Sequence, residues 1–270
     1  MTTHPNCKIN LGLHVVSKRP DGYHNLESIF LPVALCDDLS IDPAKEFSFV
    51  QDGIPIDGDP LQNLVVKAYT ILRNDFPLQI GPVAIRLTKK IPFGAGLGGG
   101  SADASFALRM LSEMYSLNLT YDQLCGYAAK LGSDCPFFIG NRPVYATGTG
   151  NELADLDLDL SGYRLVLLKP DCGVSTAEAY RGLTPRSGEV DLREAVRAPI
   201  TEWRHTIVNH FEESIFPKCP QIASLKQYLY DRGALYASMS GSGSTVYGFF
   251  DEVSCSQFES LDPSVKVFVI

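Results

Sequence analysis

The chain has 270 residues, of which 45% are hydrophobic and 20% charged, with a net charge of −8. That is room for one large or two modest domains, with the balance of an ordinary globule. The acidic surplus argues against a nucleic-acid or anionic-membrane partner, since both select a basic face. No apolar run approaches membrane-spanning length, and the start Met1-Thr2-Thr3-His4-Pro5 lacks the marks of a signal peptide. The cysteines are scattered without a Cys-x-x-Cys pair, which predicts neither a zinc site nor a disulfide framework, but reduced thiols in a cytoplasm. His205 and His210 have the wrong spacing for two ligands on one helical face, so no metal-ligating residues are expected.

In chain order, Cys7, Ile9, Leu11, Leu13 and Val15 alternate with Lys8, Asn10, Gly12 and His14, the pattern of a strand. Arg19-Pro20-Asp21-Gly22 predicts a turn into a second strand from Tyr23. Asn63 to Asn74 carries helical spacing, and Val83 to Thr88 alternates again. Next comes the richest segment, Pro92-Phe93-Gly94-Ala95-Gly96-Leu97-Gly98-Gly99-Gly100-Ser101-Ala102. Glycines at this density let a backbone bring its N–H groups against a ligand. A helix follows, with Ala104, Ala107, Leu108, Leu111 and Tyr115 on one stripe and Ser101 as its expected N-cap. Loop plus helix N-terminus predicts an anion site for phosphate, whereas a flexible linker would not fall between a strand and a patterned helix.

The type of phosphate loop narrows by elimination. There is no Gly-Lys pair anywhere, which excludes the Walker class. Gly94, Gly96 and Gly99 fit the short dinucleotide pattern, but Asp122, at the distance of the expected ribose acid, lies where Thr120 and Gln123 read as a capping box. The dinucleotide reading therefore stays as a minor alternative. Helix is expected from Tyr121 to Leu131, stopping at Gly132, with extended chain over Pro136-Phe137-Phe138. The polar, turn-rich stretch from Asn141 to Asp159 places a boundary between domains 1–150 and 151–270. Beyond it, strands are expected at Arg164–Leu168, Ala234–Met239, Val246–Phe250 and Val265–Ile270, and helices at Thr201–Phe211 and Gln221–Arg232. Helices and strands without strict alternation make both halves α+β.

Lys8 and Asn10, Asp21-Gly22-Tyr23-His24, the glycine loop, Gly132-Ser133-Asp134-Cys135-Pro136 and Ser240-Gly241-Ser242-Gly243 occur in one order. Together they resemble the GHMP kinases, nearly end to end, and most of all those members that phosphorylate a cytidylyl methylerythritol. The resemblance implies an N-terminal ATP-binding domain, a C-terminal substrate domain and a cleft between them. It implies ATP with Mg2+ as donor and a hydroxyl of the cytidylyl substrate as acceptor. It casts Asp134 as the catalytic carboxylate, Lys8 as its partner, and Pro92, Phe93 and Gly94 to Ala102 as the triphosphate loop. Asn63 and Lys89 would be nucleotide-side contacts. Tyr23, His24 and Tyr180 would form a cytosine pocket, and Asn10 and Thr176 polar substrate contacts. Phe93 and Ala95 stand where Met and Gly are common, and Asn209-His210-Phe211-Glu212 where the family has Asn-Asp before Phe-Glu. Other alcohol kinases of the family, and a binding module without activity, are the competing readings. The Tyr23-His24 pocket argues against the first, and retention of both Lys8 and Asp134 against the second.

Overall fold

The structure, a computed structural model, describes residues 1–55, 58–252, 258 and 261–270, so Cys255 lies outside the described residues. In chain order the elements begin with strands β1 (Thr2–Thr3), β2 (Asn6–Lys18), β3 (His24–Cys36), β4 (Asp38–Pro43) and β5 (Ser48–Gly53), then helix α1 (Leu64–Asp75) and β6 (Val83–Lys89). Helices α2 (Gly99–Met114), α3 (Tyr121–Leu131) and α4 (Cys135–Gly140) follow, then β7 (Val144–Thr147), β8 (Glu152–Asp155) and β9 (Arg164–Lys169). The remainder is α5 (Thr176–Arg181), α6 (Leu192–Ala195), α7 (Trp203–Thr206), α8 (Phe211–Ile215), α9 (Pro220–Asp231), β10 (Tyr236–Met239), β11 (Val246–Phe250) and β12 (Lys266–Val269). Among the described residues no helix is long and apolar enough to cross a membrane.

Two compact units emerge, one of Met1–Lys8, Pro32–Phe93 and Gly98–Arg142, the other of Ile9–Leu31, Gly94–Leu97 and Pro143–Ile270. The chain passes between them more than once, where composition leads one to expect a single boundary near residue 150. In the first unit β1, β4, β6 and β5 form a sheet, with β5 and β6 parallel. Leu39, Ile41, Ile85 and Leu87 from this sheet share a core with Val65, Leu72, Leu108 and Leu111 from α1 and α2. Small buried residues at 102, 104 and 105 let α2 lie close to its neighbours, and Ser105 Oγ donates to the Cys135 carbonyl at 2.7 Å, tying α2 to the start of α4.

In the second unit β10, β11, β9 and β12 form an antiparallel sheet against α9, with Val166, Leu168, Ala237, Val246 and Leu229 in its core. The third sheet runs β2, β3, β7, β8. The turn before β3 forms as expected, with Gly22 at φ +87° and its N–H on the Arg19 carbonyl.

Several local expectations fail for identifiable reasons. The residues of β2 from Cys7 to Val15 are all buried, on both faces, because partners inside the protein take the place of water on Lys8 and Asn10 and His14 stacks on His210. Ser101 is not the N-cap of α2: Gly98, at φ +69°, holds that place, and Ser101 belongs to the first turn. Pro136 is not extended but sits in the first turn of α4, where a missing N–H costs nothing. The stretch 141–159 contains the β7–β8 hairpin. The helix expected over 201–211 is broken, because Leu13 takes the Val208 carbonyl and the His210 N–H as a strand partner would.

Candidate active site

The glycine loop alternates in handedness. Gly94, Gly96 and Gly98 have φ of +60°, +75° and +69°, a conformation that L side chains resist. At Gly96 a Cβ would stand 2.0 Å from the Ser240 carbonyl oxygen, so no larger residue fits. The first intrahelical bond of α2 runs from Ala102 N–H to the Gly98 carbonyl. The amides of residues 99–101 therefore have no helical acceptor, and no acidic side chain occupies the first turn. Open donors and the helix dipole together favour an anion there.

Lys8 and Asp134 meet beside this helix start. The Lys8 stem lies against Gly98, where a Cβ would come within 3.2 Å of its Cγ. The Lys8 ammonium is 3.4 Å from Asp134 Oδ2. Lys8 is 4% exposed, whereas the Asp134 side chain keeps 32% of its surface. Asp134 occupies the N-cap position of α4 but makes no side-chain capping bond. Its carboxylate is thus held by one cation and still reachable by a ligand.

Lys89 is placed differently. Its ammonium lies on Asp37 Oδ2 and, at 2.7 Å, on Asp103 Oδ2, with all three side chains buried. Asp37 Oδ1 also accepts the Lys90 and Ile91 amides, at 2.5 and 2.8 Å. Burial pushes the Lys89 pKa down, but the Asp103 and Asp37 carboxylates outweigh it and hold the lysine above its ordinary value. Burial pushes the Asp103 carboxyl up to about 7 against the pull of Lys89. Asp103 also lines a cavity of about 620 Å³, with Phe49, Asn63, Leu64, Phe93 and Gly100 among its walls. Asn63 caps α1 through its Oδ1 on the Val65 amide and donates to Gln51.

The second unit holds the other candidates. His24 and Tyr180 stack with ring centroids 4.5 Å apart and planes 15° from parallel, and Tyr180 meets Phe211 edge-on at 4.8 Å. Burial, and then the Lys18 ammonium, keep the His24 imidazole below its usual pKa. Tyr23 is exposed. Thr176 Oγ1 lies 3.1 Å from Ser242 Oγ. Asn10 is buried, donating to Ser28 Oγ through its side chain and to Ser240 Oγ through its N–H. Ser240 Oγ in turn donates to the Gly96 carbonyl at 2.8 Å. Asn209 spans this turn, its Nδ2 donating to the Met239 and Gly241 carbonyls at 2.7 and 2.8 Å. The neighbouring His210 substitution leaves that brace intact. Sequence reasoning missed Asp37, Asp103 and the Ser240–Gly96 link. A lone acid among the small residues of Ala102-Asp103-Ala104-Ser105 is the one signal that could have drawn notice to Asp103.

Known proteins share both the pattern and the fold. The family described as GHMP kinases N terminal domain matches residues 63–141, and that described as GHMP kinases C terminal matches 192–257. A 4-diphosphocytidyl-2-C-methyl-D-erythritol kinase of Parabacteroides distasonis is 51% identical over 261 residues, covering 97% of this chain and 96% of that protein. One of the same name from Bacteroides thetaiotaomicron is 52% identical over 255 residues, covering 93% and 92%. A crystal structure of 4-(cytidine 5'-diphospho)-2C-methyl-D-erythritol kinase superposes with a TM-score of 0.80 at 32% identity, covering 92% of this chain and 89% of that one. Mevalonate kinase of Methanococcus jannaschii shares the fold, with a TM-score of 0.74 at 13% identity over 100% of this chain and 97% of its own.

Proposed function

The chain belongs to the GHMP kinases, and from that premise we propose that it transfers the γ-phosphoryl of ATP to a hydroxyl of 4-diphosphocytidyl-2-C-methyl-D-erythritol, a step in isoprenoid precursor synthesis. The observation that carries the reading is the Lys8–Asp134 pair set against the N-terminus of the glycine helix. Residues 92–102 bind the triphosphate through backbone amides, and Asn63 lies on the nucleotide side. Lys89, enclosed by Asp37 and Asp103, serves that side only by holding the framework around it. Tyr23, His24 and Tyr180 bind the cytosine, the stacked His24–Tyr180 pair offering a planar face and ring nitrogens. Thr176 and Asn10 supply polar contacts to the acceptor. In place of a single division at residue 150, this assignment makes the unit of residues 1–8, 32–93 and 98–142 the nucleotide-binding half and the unit of residues 9–31, 94–97 and 143–270, which includes Tyr23 and His24, the substrate-binding half.

Phosphoryl transfer runs through a loose transition state, so positioning and charge stabilisation outweigh strong base catalysis. Asp134 accepts a hydrogen bond from the acceptor hydroxyl, aims its oxygen at the phosphorus and takes the proton as the new O–P bond forms. Lys8 holds Asp134 and offsets negative charge on the moving phosphoryl. The loop amides do the same for the phosphate oxygens.

Among the described residues no group of three or more His, Cys, Asp or Glu side chains could cage a metal. Mg2+ in general keeps its waters and rides on substrate phosphates with one or two carboxylates. Asp134, partly exposed, is the carboxylate that would meet it. There it would supply charge neutralisation on the phosphates. The reduced cysteines among the described residues suit a cytoplasmic enzyme. The test is ADP release from Mg-ATP with and without the cytidylyl substrate. Release that depends on that substrate, and not on mevalonate or homoserine, is the expected result; indifference to it overturns the reading.

A further inference from the structure

Strand β9 ends at Lys169, and the next residue, Pro170, has no N–H with which to continue a ladder. From there to Ser175 the chain is neither strand nor helix. Among the described residues no backbone–backbone hydrogen bond reaches residues 170–174. Backbone carbonyls outside a ladder need other donors, and two side chains supply them. The Lys169 ammonium donates to the Pro170 and Cys172 carbonyls at 2.6 and 3.0 Å. Ser244 Oγ donates to the same Cys172 carbonyl at 2.6 Å. The sheet itself has no use for a cation at this place. Lys169 stands opposite Lys266 of β12, and like charges facing each other across a strand pair repel. Burial, with a smaller push from Lys266, keeps the Lys169 pKa below its ordinary value. Both of its hydrogen bonds go to carbonyls and neither to a carboxylate.

These bonds fix the entry to α5. That helix starts at Thr176, and its N-cap Ser175 makes no side-chain capping bond. The far end of α5 is held on its own account. Ala179 is buried, its carbonyl accepts Ser214 Oγ at 2.8 Å, and Tyr180 packs edge-on against Phe211. The near end carries the exposed Thr176, whose hydroxyl meets that of Ser242. We propose that Lys169 is a positioning residue for the acceptor: by holding the Cys172 carbonyl it fixes the segment that presents the Thr176 hydroxyl. The assignment rests on the kinase reading above, in which Thr176 contacts the cytidylyl substrate. Lys169 touches neither substrate and acts through Thr176.

The test is steady-state ADP release by the wild type, Lys169→Met, Thr176→Val and the double variant, each substrate varied at saturation of the other. Met keeps the length of the stem and removes the donors. K169M should raise the KM for the cytidylyl substrate about fivefold, with kcat and the KM for ATP within about twofold. T176V should raise the acceptor KM by a similar factor. The double variant should be no worse than the more affected single one, because a displaced hydroxyl and an absent one are the same loss. A lysine that only stabilised the fold would lower the melting temperature and leave the ratio of the two KM values alone. An acceptor KM unchanged in K169M or in T176V, equal rises in both KM values, or effects that multiply in the double variant overturn the proposal. Should K169M fail to fold in a thermal melt, Ser244→Ala, which removes the other donor to the Cys172 carbonyl, takes its place in the same cycle with the same outcomes. A wild-type protein that releases no ADP with the cytidylyl substrate refutes the kinase reading, and this proposal with it. Substrate-dependent release with an acceptor KM indifferent to K169M refutes this proposal only.

Discussion

Two lysines on strands of one unit, Lys8 and Lys89, are equally well buried and have opposite surroundings. Lys8 has a carboxylate partner that remains a third exposed, at 3.4 Å. Lys89 is enclosed by two carboxylates that solvent does not reach. Burial of a cation therefore does not mark a catalytic group. The exposure of its partner separates them, because a carboxylate that acts on a substrate must be reachable. A closed cluster serves the framework instead, here by fastening β6 to the start of β4 and to α2.

The largest effect should come from the open pair. Asp134→Ala is expected to lower turnover by about a thousandfold or more while the KM for ATP moves by less than about threefold. Near-normal turnover would make the open pair as structural as the closed one. The closed cluster should answer in stability. Lys89→Met leaves two buried carboxylates facing each other, at a cost of about 3–5 kcal/mol, which a thermal melt would show as a fall of about 10 °C. Lys8→Met should lower the melting temperature by only about 3 °C, since Asp134 can turn to water. Equal falls would erase the distinction. His24→Ala lies outside both clusters and sharpens the assignment of Asp134 by isolating acceptor binding: the KM for the cytidylyl substrate should rise about tenfold, with the KM for ATP unchanged.

A pH slope gives a further comparison. The Asp103 carboxyl sits near 7 in the folded chain against a reference of 3.8. Between those values the folded state binds the proton that the unfolded state has lost, so stability from this group falls as pH rises and is fully present only below the reference. His14 and His210, pushed down by burial, His210 to about 4, favour the opposite slope in that window. Melting temperatures at pH 5 and pH 8 should therefore be compared between wild type and D103N. The variant should gain relative stability toward high pH, and an unchanged difference would contradict the closed cluster's electrostatics.

Much of the site was readable because glycine and its neighbours leave strong local marks. The loop, its helix and the capping box at Thr120 depend on a few adjacent residues. Asn209 was harder. It stands next to a departure from the family pattern, yet its amide braces the 240–244 turn, and Ser240 passes that support to Gly96. Such links join residues 144 apart in sequence, and no local spacing announces them.

By itself, the order of residues determined the strands and helices with clear periodicity, the left-handed glycine loop and the identity of the polar groups available for chemistry, because each follows from backbone freedom and nearest neighbours. Tertiary structure alone decided which of those groups stay open to solvent. It paired Lys8 with a carboxylate that water still reaches, closed Lys89 between two that water does not, and broke the 201–211 helix so that Leu13 could claim its backbone. The physical reason is that solvent exposure and ion pairing belong to distances between remote segments, which a chain acquires only when it packs.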